Sequence, residues 1–561
     1  MPLMGSFYVG VSGLQTSQNA LNTTAHNLSN IETEGYTRQQ TLLEDRFYNT
    51  LGNASVSAKQ TGLGVQYAEV RQVRDAFLDL SYREETGRKE FYEIAYETST
   101  EIETMLGEME GASFHEALSD YWTSIQELQK DPSSAVVQGS FVATGLQFLE
   151  RAQAVYDGLS AYQDNLNARV TDYVKQINEY GQQIKKLNDA IKRTEIGQEE
   201  ANDLRDARNL ILDKLSGMCN ITYQENVDNV VEVQVEGTPF VCRDRVFEMD
   251  SKLDEATGFY TPIWPWNDDA EVFDLDRLVN SADDTDVGQL KAILIMRGDR
   301  RANYTDLLTD REIGGNHYDV YNQGYTDADG KEKVATKQSV VMTMQAELDN
   351  LIHSLSTTIN DILCNEQGKA YEDRYYANEE DLPIELFERL GESKRYEYRN
   401  GTHGDGWYYI PEDISNAPVD VSSMYTLSNL KINPDLLKEP TKLSFMTKDK
   451  QVDQKKADAL AESFRDPFGT LNPETNKEYN FTDYYDAMVV QVGNTGFIYK
   501  TIAESQNSTV VSLENARQAV AGTASNEELS NMIKFQNAYN AASRYINAVD
   551  AMLDHLINRL S

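Results

Sequence analysis

Apolar residues recur at alternating spacings of four and three along the first segment: Phe7, Val11, Leu14, then, past the polar Gln18, Leu21, Ala25 and Leu28. This is the seam of a heptad helix with one polar break. Its other faces are Ser, Thr, Asn and Gln rather than Glu and Lys, so few i,i+4 ion pairs support it in isolation. The last segment repeats the pattern more strictly, through Met532, Phe535, Tyr539, Ala542, Ile546, Val549, Leu553, Leu556 and Leu560. A lone helix of this kind leaves its stripe wet, at a cost of about 25 cal/mol per Å² of apolar surface. The two terminal seams are therefore expected to cover each other, together with neighbouring copies.

Between the ends, three more helical seams stand out. One runs Leu159, Gln163, Leu166, Val170, Tyr173, Ile177, Tyr180, Ile184, Leu187, Ile191; a second runs Val341, Met344, Leu348, Leu351, Leu355, Thr358, Ile362. The third runs Met488, Val492, Thr495, Tyr499, Ile502, Gln506, Thr509, Leu513, Ala516, Val520, with Thr482 or Asp483 expected as its N-cap and Gly522 closing it. Ser525 and Glu528 are expected to form a capping box for the terminal helix. A shorter stripe runs Phe114, Leu118, Tyr121, Ile125, Leu128.

Two regions break this rule. Residues 221–285 alternate at period two through Val231, Val233 and Val235, which predicts a small β domain. Residues 365–480 are rich in Tyr, Asp and Asn and hold Pro383, Pro411, Pro418, Pro434, Pro440, Pro467 and Pro473, which disfavours long helices. The expected fold is mainly α with β insertions: a long-helix bundle with terminal coiled-coil helices and nested β-rich outer domains. Residues 1–45 and 524–561 form the terminal unit. The helical body takes 46–220, 286–364 and 481–523. The small β insertion takes 221–285, and a β-rich or irregular outer insertion takes 365–480.

Charge sharpens this division. The chain of 561 residues carries 51 Lys and Arg against 91 Asp and Glu, a formal net charge of −40. Such a balance argues against duplex nucleic acid and against insertion at an anionic membrane surface. Yet residues 1–43 hold only Glu32, Glu34 and Arg38, and 525–561 only Glu527, Glu528, Lys534, Arg544, Asp550, Asp554 and Arg559, so nearly all the excess lies between the ends. Segments that crowd against copies of themselves need low charge, and a body facing water tolerates a high one.

Candidate chemistry is thin. Cys219, Cys242 and Cys364 give neither a disulfide framework nor a zinc spacing. His115-Glu116 opens like a zincin helix, but Ser119 stands where the second His is needed. Asp327-Ala328-Asp329-Gly330 lacks the later ligands of a Ca²⁺ loop, and His403 with Asp405 has no nucleophile beside it. Gly62-Leu63-Gly64 lacks the Lys and Ser/Thr of a phosphate loop and fits a turn before a strand. Trp264-Pro265-Trp266 fits packing inside the β insertion or an exposed patch. No catalytic, cofactor or metal residues are assigned, and the expectation is a non-enzyme. The N-terminus lacks the basic region of a secretory signal peptide, and no apolar run reaches the length of a membrane helix.

The ends carry a resemblance. Asn27-Leu28, Asn30, Thr33, Gly35-Tyr36 and Arg38-Gln39 resemble the N-terminal signature of the bacterial flagellar rod, hook and hook-associated axial proteins. Glu528, Ile533, Phe535-Gln536, Ala538-Tyr539, Ala541-Ala542, Arg544, Asp550, Met552-Leu553 and Leu556 resemble the C-terminal signature of the same family. His26 stands where the family has a small or amide residue, and Glu34 where Pro is common. Gly35-Tyr36-Thr37-Arg38-Gln39, Leu204–Ser216, Gly288–Ala292, Ile432–Leu436 and Phe481–Tyr485 are most similar to the hook-associated branch at the hook–filament junction.

That resemblance implies an extracellular, structural part of the flagellum, exported unfolded through the flagellar type III apparatus without a cleaved signal. It implies no cofactor. Its partners would be copies of itself, the hook protein below, a second junction protein on the filament side, and an export chaperone on the C-terminal helix. The interface residues expected from seam and signature together are Phe7, Val11, Leu14, Leu21, Asn27, Leu28, Asn30, Gly35, Tyr36, Arg38, Met532, Phe535, Tyr539, Ile546, Val549, Leu553, Leu556 and Leu560. Gly35 is expected to make the turn leaving the first helix, and Tyr36 to anchor the chain to the body. The alternatives are a hook or distal rod protein, and a surface adhesin that uses the outer insertions.

Overall fold

The computed structural model describes residues 3–46, 48–50, 60–106, 113–197, 200–275, 277–327, 330–364, 374–390, 395–410, 412, 421–443, 445 and 451–560. Pro411, Pro418, Ala328 and Asp329 lie outside the described residues. The N-terminal seam forms helix α1 (Leu3–Ser29). Strand β1 (Gln39–Asp45) follows and pairs antiparallel with β2 (Val65–Gln72). Residues 65–72, expected within the helical body, are thus a strand; Val65 and Tyr67 alternate with Gln66, but Ala68 and Val70 fall out of phase beside the register shift opposite Leu42/Leu43, so the segment keeps no period-two stripe to read.

The body begins with α2 (Ala76–Leu106), α3 (Phe114–Lys130), α4 (Ala135–Glu195) and α5 (Asn202–Met218). Helix α4 is 61 residues long, which at 1.5 Å per residue is about 90 Å. It starts well ahead of the Leu159 seam, and its first half buries Phe141, Val142, Phe148, Leu149 and Ala152. Two antiparallel sheets follow, β3 (Ile221–Glu225), β4 (Val231–Val235) and β5 (Thr238–Val241) in that order, then β6 (Asp250–Leu253), β7 (Tyr260–Trp264) and β8 (Ala270–Glu271). Trp264 is buried there and Trp266 is half-exposed, so the Trp pair divides between packing and surface.

The chain returns through α6 (Gln289–Arg297) and α7 (Val340–Cys364). Strands β9 (Tyr375–Tyr376), β10 (Tyr396–Gly401) and β11 (Gly404–Tyr409) make another three-stranded sheet with β11 in the middle. Helix α8 (Gln454–Ser463) lies within the outer insertion and packs on α3; Asp453 caps it by accepting the Lys456 N–H. Helices α9 (Phe481–Ala521) and α10 (Ser525–Leu560) end the chain.

Helix α9 lies along α2, while α4 runs against α3, α5, α6 and α7. Their shared core includes Phe91, Ile102, Phe114, Tyr121, Phe148, Leu166, Leu348, Tyr485 and Met488. Side-chain amides stitch the inserted segments onto these helices. Asn188 of α4 both donates to Val231 O and accepts its N–H, and Asn178 does the same with Met249. Gln163 donates to Arg297 O and Arg300 O, and Asn360 of α7 serves Phe387 and Leu386. The three asparagines each supply the paired donor and acceptor that a strand edge needs, and Gln163 supplies donors to carbonyls left open at the end of α6, so backbone can be buried against a helix.

Both expected caps of the last helices are corrected. Asn480, not Thr482 or Asp483, is the N-cap of α9, accepting the Asp483 N–H at 2.9 Å. The cap must precede the first helical residue, and Asp483 instead sits in the first turn, where it complements the helix dipole. Ser525 is already the first residue of α10, and the Glu528 carboxylate turns away to the N-terminal segment.

Candidate assembly interface

Helices α1 and α10 pack antiparallel. A Cβ on Gly10 would lie 2.7 Å from Ile546, one on Gly13 would lie 3.7 Å from the Ala542 Cβ, and Asn27 reaches Glu528. The α1 row buried most deeply is Ser12, Thr16, Ala20, Thr24 and Asn27 rather than the apolar seam. These hydroxyls are satisfied on their own helix: Thr16 donates to Ser12 O, Ser17 to Gly13 O, and Thr24 to Ala20 O, at 2.9, 2.7 and 2.9 Å. Small side chains bonded in this way can be buried without orphaned polar atoms; Ser12, which also accepts the Val65 N–H, is covered by the start of β2.

The expected seam therefore sits beside the closest contact. Phe7, Val11, Leu14, Leu21 and Leu28 are half-buried. On α10, Met532, Phe535, Tyr539, Ile546 and Leu553 are half-buried, Val549 is buried and Leu556 is exposed; the side chain of Leu560 lies outside the described residues. Tyr8, Leu529, Ile533, Tyr545, Met552 and Ile557 are also exposed. The pair thus carries apolar surface on its outside as well as within.

At the far end of α1 the signature residues form one polar knot. The Asn27 Oδ1 accepts the Tyr36 hydroxyl at 2.7 Å and the Gln39 N–H at 3.0 Å. Its Nδ2 donates to Gln39 O at 2.9 Å and to Glu528 at 3.2 Å. Arg38 places Nε 2.8 Å from the buried Glu528 carboxylate and reaches Glu527 at 3.2 Å. The Arg38 N–H donates to Ala521 O at 2.8 Å, satisfying a carbonyl that the end of α9 leaves open. Asn30 accepts the Thr33 hydroxyl and donates to His26 O, holding the turn; Gly35 in that turn has φ +76° and faces Leu210 of α5. A side chain there would be strained and would press on Leu210.

The knot is tied to the body through α5. The Thr37 N–H donates to Asp206 Oδ2 at 3.1 Å, Gln72 donates to Asp206 Oδ1 at 2.7 Å, and Gln39 and His26 meet Asp203. Desolvation pushes the Asp206 carboxyl up to about 6, against the pull of the Thr37 hydrogen bonds and Arg74. Burial, with Asp203, Asp206 and Glu528 nearby, pushes the Tyr36 phenol up, so it stays a neutral donor. Alongside, Arg517 near the end of α9 bridges Asp79 of α2 and Asp213 of α5 at 3.0 and 2.8 Å. The Asp203 and Asp206 partners were not among the expected interface residues; Asp206 lies in the Leu204–Ser216 stretch that carried part of the resemblance. A cavity of about 440 Å³ lies at this joint between Glu34–Thr37, α2, α5 and the end of α9. Among the described residues, no group of three His, Cys, Asp or Glu is placed to hold a metal, and no helix is long and apolar enough to cross a membrane.

Three family models match successive parts of the chain. The flagella basal body rod protein model matches residues 7–37, the helical domain of the flagellar hook-associated protein FlgK matches 99–370, and the C-terminal model of the flagellar basal body rod FlgEFG proteins matches 521–560. The two terminal matches contain Asn27, Tyr36 and Glu528. Flagellar hook-associated protein 1 of Bacillus subtilis is 26% identical over 564 residues, covering 99% of each chain. That of Escherichia coli K12 is 22% identical over 98% of each. The solved flagellar hook junction protein FlgK from Burkholderia pseudomallei aligns with 79% of this chain and 100% of its own at 12% identity, with a TM-score of 0.48.

Proposed function

Since the chain belongs to the flagellar rod, hook and hook-associated axial proteins, we propose that it forms the junction between hook and filament, assembling through its terminal helix pair. The observation that carries this reading is end-to-end similarity to hook-associated protein 1, combined with a terminal pair that keeps Ile533, Met552 and Ile557 exposed. Apolar side chains on the outside of a nearly neutral pair suit contact with neighbouring copies. Head-to-tail contacts among identical subunits generate a ring or an open helix according to whether the rotation closes. The acidic body and its insertions would face outward.

In this reading α1 and α10 line the inner tube. The body meets the hook on one axial face and a second junction protein on the other. The chain travels unfolded through the export apparatus with a chaperone on α10; the terminal helices pair after export and gain their full order when neighbouring copies pack on them. A helix supported so weakly on its own is marginal until it is packed. Immunogold labelling of isolated flagella tests the placement. A single labelled band at the hook–filament boundary is expected; label spread along the hook or rod would favour the hook or distal rod alternative.

A further inference from the structure

The closest contact between α1 and α10 is built from side chains that specify register poorly. Gly10 and Gly13 meet Ile546 and Ala542, and the neighbouring buried positions on α1 are Ser17, Ala20 and Thr24. Sliding α10 by a turn, about 5.4 Å, so that Ala538 meets Gly13, would set Ala542 against Gly10, small residue on small residue in place of Ile546. The knot at the other end has no such degeneracy. Glu528 is 2% exposed, and its carboxylate meets Arg38 Nε at 2.8 Å on one oxygen and Asn27 Nδ2 at 3.2 Å on the other. The partners of Glu528 are held in turn, Asn27 by Tyr36 and Gln39, and Arg38 by its N–H on Ala521 O and its carbonyl on the Val73 N–H.

We propose that Glu528 is the register pin of the terminal helix pair: its fit against Arg38 and Asn27 selects one antiparallel alignment among several that the small-residue contact would accept. A one-turn slide would bury this carboxylate away from both partners, and an unpaired buried charge is strongly unfavourable. Fixing alignment is the best attested use of a buried polar contact in paired helices. Glu528 acts here as a positioning residue. The contact lies within one chain, so the proposal stands or falls independently of where the protein sits in the flagellum.

Cysteine pairs in the full chain test it. The Cβ separation of 3.7 Å between positions 13 and 542 suits a disulfide. Gly13→Cys/Ala542→Cys reports the native register, and Gly13→Cys/Ala538→Cys reports a one-turn slide; products formed in a glutathione buffer are identified by peptide mass mapping. With Glu528 present, the native product should dominate. Glu528→Ala and the better-filled Glu528→Gln should lose most of it and gain the slipped product, and the exchange Arg38→Glu/Glu528→Arg, made together with Glu527→Gln to remove the like charge beside position 38, should restore the native one. An unchanged native yield in both single variants would overturn the proposal. So would loss of the native product with no slipped product and no restoration, because Glu528 would then only hold the helices together.

Discussion

The hydroxyl of Tyr36 donates to Asn27 Oδ1 at 2.7 Å, joining the turn after α1 back to the helix that precedes it. Asn27 keeps a second donor in the Gln39 N–H, so Tyr36→Phe removes one bond without stranding the amide. The loss should be about 1 kcal/mol, confined to the terminal unit. Hydrogen exchange should quicken in residues 25–40 and 525–530 and stay unchanged in α4. Equal acceleration across the body would show that the knot is not a local element.

Gly10 marks the closest approach of the terminal helices, since a Cβ there would fall 2.7 Å from Ile546 Cγ1. Gly10→Val should therefore force α1 and α10 apart, at a cost of about 1–3 kcal/mol. Limited proteolysis should cut α10 faster in the variant while the body fragment persists. The compensating change Ile546→Ala, which clears the space, should recover part of the protection.

Ile533 and Ile557 are exposed on α10. Replacing either by Asp should leave the folding of one chain within about 0.5 kcal/mol, as for other surface substitutions. Assembly should suffer, because the charge would be buried between copies. Motility in soft agar, with melting of the purified protein as control, separates the two effects. Normal swimming with both variants would remove these residues from the interface.

The body should respond to pH through α7. Burial pushes the Glu347 carboxyl up to about 8 and Asp349 up to about 7. Because these values lie above those of the unfolded chain, the stabilisation they represent is complete in acid, below their ordinary values. It is lost as pH rises through about 7 to 8. Glu347 accepts from Asn472 and Gln491 on one oxygen, while Oε2 is buried without a hydrogen-bond partner among the described residues. Glu347→Gln should barely change the melting temperature at pH 5 and raise it by a few degrees at pH 8.5. A variant equally destabilised at both pH values would contradict this.

The terminal seams, the long helices and the β insertion at 221–285 were legible because apolar periodicity reports burial directly. The apolar seam of α1 nevertheless pointed beside the closest contact. Ser12, Thr16 and Thr24 look solvent-facing in sequence, yet their hydroxyls bond carbonyls of their own helix and can be buried. Asn178 and Asn188 were hidden for a related reason: an amide serving a strand edge breaks the apolar pattern where packing is tight. Asp203 and Asp206 meet the signature turn across more than 160 positions of chain, and no local pattern announces such a pairing. The outer insertion was least readable, since its short strands carry no sustained period and α8 offers only one helical set, Ala457, Leu460, Ala461 and Phe464, amid Pro-rich sequence.

Electron microscopy of cells whose only copy of this protein lacks residues 525–561 tests the terminal-pair mechanism most directly. The expected result is bare hooks with filament protein released into the medium, while the truncated body remains folded and soluble. Filaments of normal length on those hooks would contradict it.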